Sequence, residues 1–199
     1  MIAGLLLAAG AGRRYGMPKA LVDGGTWLRR AVATLTDGGC DQVFVVVGAQ
    51  ADEVIPLVPK TATTVVATDW AEGMGASLRA GLAELGCSTP PQVQAALVHL
   101  VDLPDVAASV VRRLVALANP SVVARAGFDS QPGHPVLLGR QHWNDIVSSA
   151  HGDRGARDWL AARTDLIVVD CSDLASGVDV DVPPGTDPAV RTSDLSRLE

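Results

Sequence analysis

Residues Ile2–Lys19 read IAGLLLAAGAGRRYGMPK. Ile2 to Ala9 is a short, nearly continuous apolar run, the pattern of a strand buried on both faces of a parallel sheet. It passes directly into Gly10, Gly12 and Gly16, with Arg13, Arg14 and Lys19 interleaved. Glycine brings bare backbone close to a ligand, successive N–H groups form an anion nest, and the cations add charge-assisted bonds to phosphate oxygens. A glycine turn beside a solvated basic patch would look similar, but the whole composition reads as a phosphate-binding loop. A Walker loop needs Gly-Lys-Ser/Thr opening a helix, and that triplet is absent. A dinucleotide fingerprint places its last glycine inside a helix that begins in the loop. Pro18 and the turn-forming Asp23-Gly24-Gly25 oppose such a helix here.

Leu7-Ala8-Ala9-Gly10, followed by Arg14, Gly16 and Pro18-Lys19, resembles the signature loop of the MobA/MocA-like nucleotidyltransferases, the molybdenum cofactor guanylyl- and cytidylyltransferases. The resemblance implies that Ala8, Ala9, Gly10, Ala11, Gly12, Arg13, Arg14 and Lys19 bind the nucleotide. Arg14 and Lys19 would neutralise its triphosphate. The short spacing between Arg14 and Pro18 suits these small enzymes better than the longer sugar-nucleotide pyrophosphorylases. Lys19 and Lys60 are the only lysines in an arginine-rich chain, which singles out Lys19 independently.

At 199 residues the chain reads as one domain, 1–199, with enough length for a substantial core. No apolar stretch reaches the roughly 18 residues that span a bilayer, and the first strand lacks a basic leader, so neither membrane nor export is expected. Cys40, Cys87 and Cys171 are scattered and odd in number, suit a reducing cytoplasm, and are read as buried thiols. A net charge of -6 argues against nucleic acid as a partner. A basic loop on an acidic chain suits a small anion that arrives with a divalent metal.

Along the chain, Thr26 reads as the cap of a helix from Trp27 to Asp37, and Gln42 to Gly48 as a second buried strand. A short helix from Ala51 to Leu57 and a strand from Thr63 to Ala67 follow. This alternation implies a parallel sheet with right-handed crossovers. The stretch Trp70 to Leu78 resembles the family's W-x-x-G-x-x-x-S-L loop, so Gly73, Gly75 and Ser77 are candidate nucleotide contacts; Ser77 is also a candidate cap of a helix from Leu78 to Leu85. Gln94 to Val101 is an apolar strand ending at Asp102. A carboxylate there lies where open α/β sheets bind ligands. Asp102 matches the family's metal-holding Asp-x-Pro, although Leu103 stands where glutamine or methionine is usual. Asp105 is read as starting a helix from Val106 to Ala118, and Ser121 to Ala126 as a strand.

Gly133-His134-Pro135-Val136 resembles the element lining the acceptor side. His134 could touch substrate or simply tie down its loop. Gly152-Asp153-Arg154-Gly155-Ala156-Arg157 matches another family element, with Asp153 a helix cap and Arg157 facing the site. Leu166 to Val169 is a late strand. Asp179-Val180-Asp181-Val182-Pro183 resembles the family's Asp-Ile-Asp-Thr-Pro, which makes Asp181 the second metal ligand and Asp179 its alternative. The polar tail from Asp187 is read as partly disordered.

The expected fold is α/β: a three-layer, open, mostly parallel twisted sheet with helices on both faces, Rossmann-like and of the nucleotide-diphospho-sugar transferase type. The expected activity is transfer of a nucleoside monophosphate, CMP from CTP rather than GMP from GTP, to the terminal phosphate of molybdopterin or the molybdenum cofactor. Pyrophosphate would leave and Mg²⁺ would assist, with Arg14, Lys19 and Asp102 as the catalytic set and a molybdenum hydroxylase as client. Two alternatives stay open: a cytidylyltransferase for another small phosphomonoester, and a non-catalytic cofactor-delivery protein.

Overall fold

A computed structural model describes residues 1–183. The expectation for the tail from Asp187 falls outside them. β1 (Ile2–Leu7) lies between β2 (Gln42–Val47) and β4 (Ala95–Leu100), and β3 (Ala62–Val66) lies beyond β2, all parallel. β5 (Val123–Phe128), β6 (Gln131–Gly139) and β7 (Ile167–Asp170) complete a seven-stranded sheet in the order β3-β2-β1-β4-β6-β5-β7. β6 runs antiparallel to both its neighbours, and every other pair is parallel.

β1 is central because both its faces are apolar. Leu5 and Leu7 pack on one side of the sheet and Leu6 and Ala8 on the other. Burying each leucine contributes about 1.5–3 kcal/mol. The helices α1 (Thr26–Asp37) and α4 (Ala108–Val115) cover the face of Leu6 and Ala8, adding Leu28, Leu35, Val110 and Leu114. On the other face lie α3 (Met74–Ser88), α5 (Trp143–Ser149) and α6 (Arg157–Ala161), with Leu82, Leu85, Ile146 and Leu160. A short α2 (Ala51–Val54) continues into a 3-10 turn, Ile55–Leu57. A methyl at Gly81 would come within 2.6 Å of Leu5, so α3 sits directly on β1.

Several local expectations are corrected. Thr26 does not cap α1: Gly25 occupies the capping position with φ 85°, while the Thr26 hydroxyl donates to the Asp23 carbonyl. α3 begins at Met74 rather than Leu78, which places Ser77 in its first turn, buried. Asp105 does not cap α4, and Asp153 does not cap α6. The loop expected around His134 is part of a strand, β6, instead. Asp129 (φ 47°) and Ser130 (φ 64°) close a two-residue hairpin between β5 and β6. The usual Asn-Gly signal is missing there, so sequence inspection passes over it. Cys40 and Cys171 are buried as expected, whereas Cys87 is exposed. No helix among the described residues is long and apolar enough to cross a membrane.

Candidate active site

The sheet order reverses at β1, with β2 on one side and β4 on the other. Open α/β sheets bind ligands at the carboxyl ends of strands at such a point. A cleft of about 590 Å³ opens there. Its walls are residues 7–15 with Lys19, residues 70–74 with Ser77, residues 100–102, and Asp153, Asp179 and Asp181.

The glycine loop leaves β1 through Ala8, whose N–H donates to Val46, and Ala9, whose carbonyl accepts from Ala49. Gly12 has φ 60°, and a Cβ there would lie 1.8 Å from the Met17 carbonyl oxygen, so only glycine fits. Its carbonyl accepts from Gly16 N–H at 2.8 Å and closes the loop. Pro18 then starts a 3-10 turn, Lys19–Gly25, which carries Lys19 back beneath the loop.

Lys19 is the centre of the arrangement. Its Nζ donates to Asp102 Oδ2 at 2.7 Å and to Asp181 Oδ1 at 2.9 Å. The Lys19 and Asp102 side chains are 12% and 19% exposed, enough shielding for the contact to matter. Burial alone would pull the Lys19 pKa down, but the two carboxylate bonds outweigh it and raise it. In turn the bond from Lys19 holds Asp181 below the usual carboxylate range, with the Arg14 charge assisting. Arg14 Nη1 reaches Asp181 Oδ2 at 2.6 Å, but this cation is 77% exposed and the pair contributes little. Val180 N–H donates to the Asp102 carbonyl, which seats the Asp179–Asp181 segment beside the end of β4.

Asp102, Asp179 and Asp181 each offer an oxygen, and the three oxygens lie within 4.8 Å of one another. That donor set, all hard carboxylate oxygen, fits a divalent cation of the Mg²⁺ or Mn²⁺ class. The two ligands proposed from sequence are thus brought together, with Asp179 beside them as a third member.

The remaining candidates divide. Gly73 and Ser77 line the cleft, whereas Gly75 does not. A Cβ at Gly75 would come within 2.8 Å of the His151 backbone, so packing accounts for that glycine. His134 and Arg157 are not in the cleft wall. His134 is enclosed by protein, which lowers its pKa to about 4 with help from the Arg125 charge, against an opposing effect of Asp179. Arg157 is exposed at the start of α6. Sequence reading missed Trp70 and Asp153 as cleft residues. Trp70 crosses close to Gly48, where a Cβ would meet the Trp70 Cβ at 2.5 Å, and Asp153 packs on Gly73. Gly48 at the end of a buried strand was the available signal for the first; none marked the second.

A glycine loop lining the cleft, a carboxylate cluster and a lysine bonded to it, at the switch point of a mostly parallel sheet, define a nucleotidyltransferase-type α/β domain. The chain belongs to the family of MobA-like NTP transferase domains, whose model matches residues 4–166. It is 35% identical over 192 residues to nicotine blue oxidoreductase of Paenarthrobacter nicotinovorans, covering 90% of this chain and 92% of that one. Among solved structures it resembles a homologue of Mycobacterium tuberculosis Rv0371c from Mycobacterium sp. strain JC1. The identity is 28%, the coverage 91% of this chain and 90% of that one, and the TM-score 0.78. The Rv0371c protein of Mycobacterium tuberculosis H37Rv, solved in complex with manganese, is 25% identical over 94% of this chain and 92% of that one, with a TM-score of 0.69.

Proposed function

We propose that the chain is a single nucleotidyltransferase domain that moves a nucleoside monophosphate from an NTP to the terminal phosphate of molybdopterin or its molybdenum form. CTP is the preferred donor over GTP, and the product serves a molybdenum hydroxylase in the cytoplasm. The observation that carries the reading is Lys19 bridging Asp102 and Asp181 at the foot of the glycine loop. There a lysine can exchange carboxylate for phosphate oxygens as the triphosphate enters.

An acceptor phosphate has its second pKa near ~6 and is mostly ionised at neutral pH, so no general base is required. One of its oxygens attacks the α-phosphorus, the bond from that phosphorus to the bridging oxygen breaks, and pyrophosphate leaves. Lys19, Arg14 and the loop N–H groups hold the departing phosphates, and alignment and charge do the rest. Mg²⁺ held by Asp102 and Asp181, with Asp179 adjacent, would supply positive charge beside the α-phosphate. The preference for CTP rests on Ala9 before Gly10, where the guanylyl branch of the family carries glycine.

The test is pyrophosphate release from each of the four NTPs with Mg²⁺ and molybdopterin, sugar phosphates or small alcohol phosphates. Asp102→Asn should abolish turnover while nucleotide binding survives through the loop. Full activity of that variant at ordinary Mg²⁺ would overturn the carboxylate mechanism, and equal turnover of GTP the base preference. The name of the 35% identical relative supports a second reading, a redox reaction in the same cleft. Oxidation of a nicotinamide nucleotide by a quinonoid dye, without pyrophosphate release, would favour it.

A further inference from the structure

Beside the stretch of cleft wall formed by residues 70–73, one guanidinium joins three segments of the chain. Arg79 stands in the second turn of α3, with its side chain 21% exposed. Its Nη2 donates to Asp69 Oδ2 at 2.6 Å and to Glu72 Oε2 at 2.9 Å, and its Nη1 donates to the Ala150 carbonyl at 2.8 Å. Asp69 precedes the 3-10 turn Trp70–Glu72, Glu72 ends it, and Ala150 follows the last residue of α5. Trp70, Glu72, Gly73 and Asp153 line the cleft, whereas Arg79, Asp69 and Ala150 do not.

The bond to Ala150 satisfies a carbonyl at the end of α5, and fastening that helix would ask for nothing more. The two carboxylate bonds reach past it to the turn. A three-residue 3-10 turn has little stability of its own, and Asp69 and Glu72 would repel each other across it. A planar guanidinium between them fixes both carboxylates in directions that the point charge of a lysine would leave free. The same side chain ties the turn to the segment after α5. There a Cβ at Gly73 would meet the Asp153 nitrogen at 2.7 Å, and one at Gly75 the His151 backbone at 2.8 Å. Arg79 thus sets the spacing of two segments that line the cleft without lining it itself. With the triphosphate on the glycine loop and Lys19, the base and sugar fall to this remaining wall, to which Trp70 belongs.

We propose that Arg79 is a positioning residue for the nucleoside half of the substrate. It holds residues 69–73 against residues 150–153 at the separation that base and sugar require, and it touches no substrate atom. The inference rests on the reading of the cleft as a nucleotide site.

The test compares, by calorimetry in Mg²⁺, the NTP that the parent protein binds most tightly with inorganic triphosphate, which has no nucleoside. Arg79→Met keeps the length of the side chain and removes its donors. Asp69→Asn changes a partly exposed partner outside the cleft and loosens one arm of the clamp. NTP binding should weaken about tenfold in the first variant and about threefold in the second, while triphosphate binding stays within about twofold of the parent. Arg79→Lys should recover only part of the loss, since it keeps the charge but not the fork. Unchanged NTP affinity in Arg79→Met would overturn the proposal. So would equal losses for NTP and triphosphate, the mark of general damage, or full recovery in Arg79→Lys. Should circular dichroism show Arg79→Met unfolded, Asp69→Asn decides alone, by the selective loss or by its absence. If the parent binds none of the four NTPs, the nucleotide reading falls and takes this inference with it; if it binds them and the variants match it, only the role of Arg79 falls.

Discussion

Gly10 and Gly12 sit two residues apart and are glycine for different reasons. Gly12 is forced by its positive φ and by the Met17 carbonyl, whereas a Cβ at Gly10 would meet no atom within 4 Å. Nothing in the protein itself requires Gly10, so its bareness serves whatever enters the cleft. Gly10→Ala should therefore leave the melting temperature within about 1 °C, since surface changes cost little. Nucleotide affinity should drop; an unchanged Kd for CTP would sink the assignment. His99 on β4 makes a separate prediction. It is 1% exposed, its Nδ1 has no partner among the described residues, and burial depresses its pKa to about 3. A depressed folded pKa means that the unfolded chain takes up the proton first. The contribution of neutral His99 is therefore complete above its ordinary value near ~6.5 and fades as the pH falls towards 3. Between pH 7 and pH 5 that loss is roughly 2 kcal/mol. In His99→Leu the urea midpoint should fall less over this interval; an equal fall would show that other groups govern the acid limb.

The hairpin joining β5 and β6 is the element that departs furthest from a simple alternating α/β pattern. β6 is antiparallel between two strands that run the other way, and it carries Gly133 and His134 to the end of β4. Its turn is made by Asp129 and Ser130, both at positive φ, although neither is glycine. Left-handed backbone costs an L-residue about 1–2 kcal/mol, partly returned by glycine's greater freedom in the unfolded chain. Ser130→Gly should raise stability by about 0.5–1 kcal/mol in a denaturant titration. A loss of stability would mean that the serine side chain holds the turn in a way its hydrogen bonds do not reveal.

Over the whole molecule, the site is assembled from both ends of the described chain. Asp181 meets Lys19 across 162 positions. The segment that delivers it is pinned at Asp105, whose Oδ2 accepts from Ser176 N–H, Ser176 Oγ and Gly177 N–H at 2.7, 2.5 and 3.2 Å. Asp105 is thus a fastening point rather than a helix cap. Asp105→Ala should loosen Asp179 and Asp181 and weaken Mn²⁺ binding, followed by paramagnetic resonance, about fivefold for each 1 kcal/mol of lost ordering. Unchanged Mn²⁺ affinity would show that the carboxylates are placed without this anchor.

What the sequence determined by itself is local. The apolar run of β1, the glycine loop and the alternation of strands and helices lead to a mostly parallel sheet with its site at the end of β1. Asp102 is legible because it ends a buried strand. The caps misread at Thr26, Asp105 and Asp153 have the right residue types for capping, but Thr26 turns back to Asp23, while Asp105 is claimed by Ser176 and Gly177 and Asp153 packs on Gly73. The antiparallel β6 was hidden because its turn lacks the usual glycine. Only the tertiary structure decided that Lys19 stands between Asp102 and Asp181 and that Asp179 joins them. Those are meetings of charges on separate segments of the chain, set by sheet order and loop closure, and a one-dimensional pattern holds no record of distance between its parts.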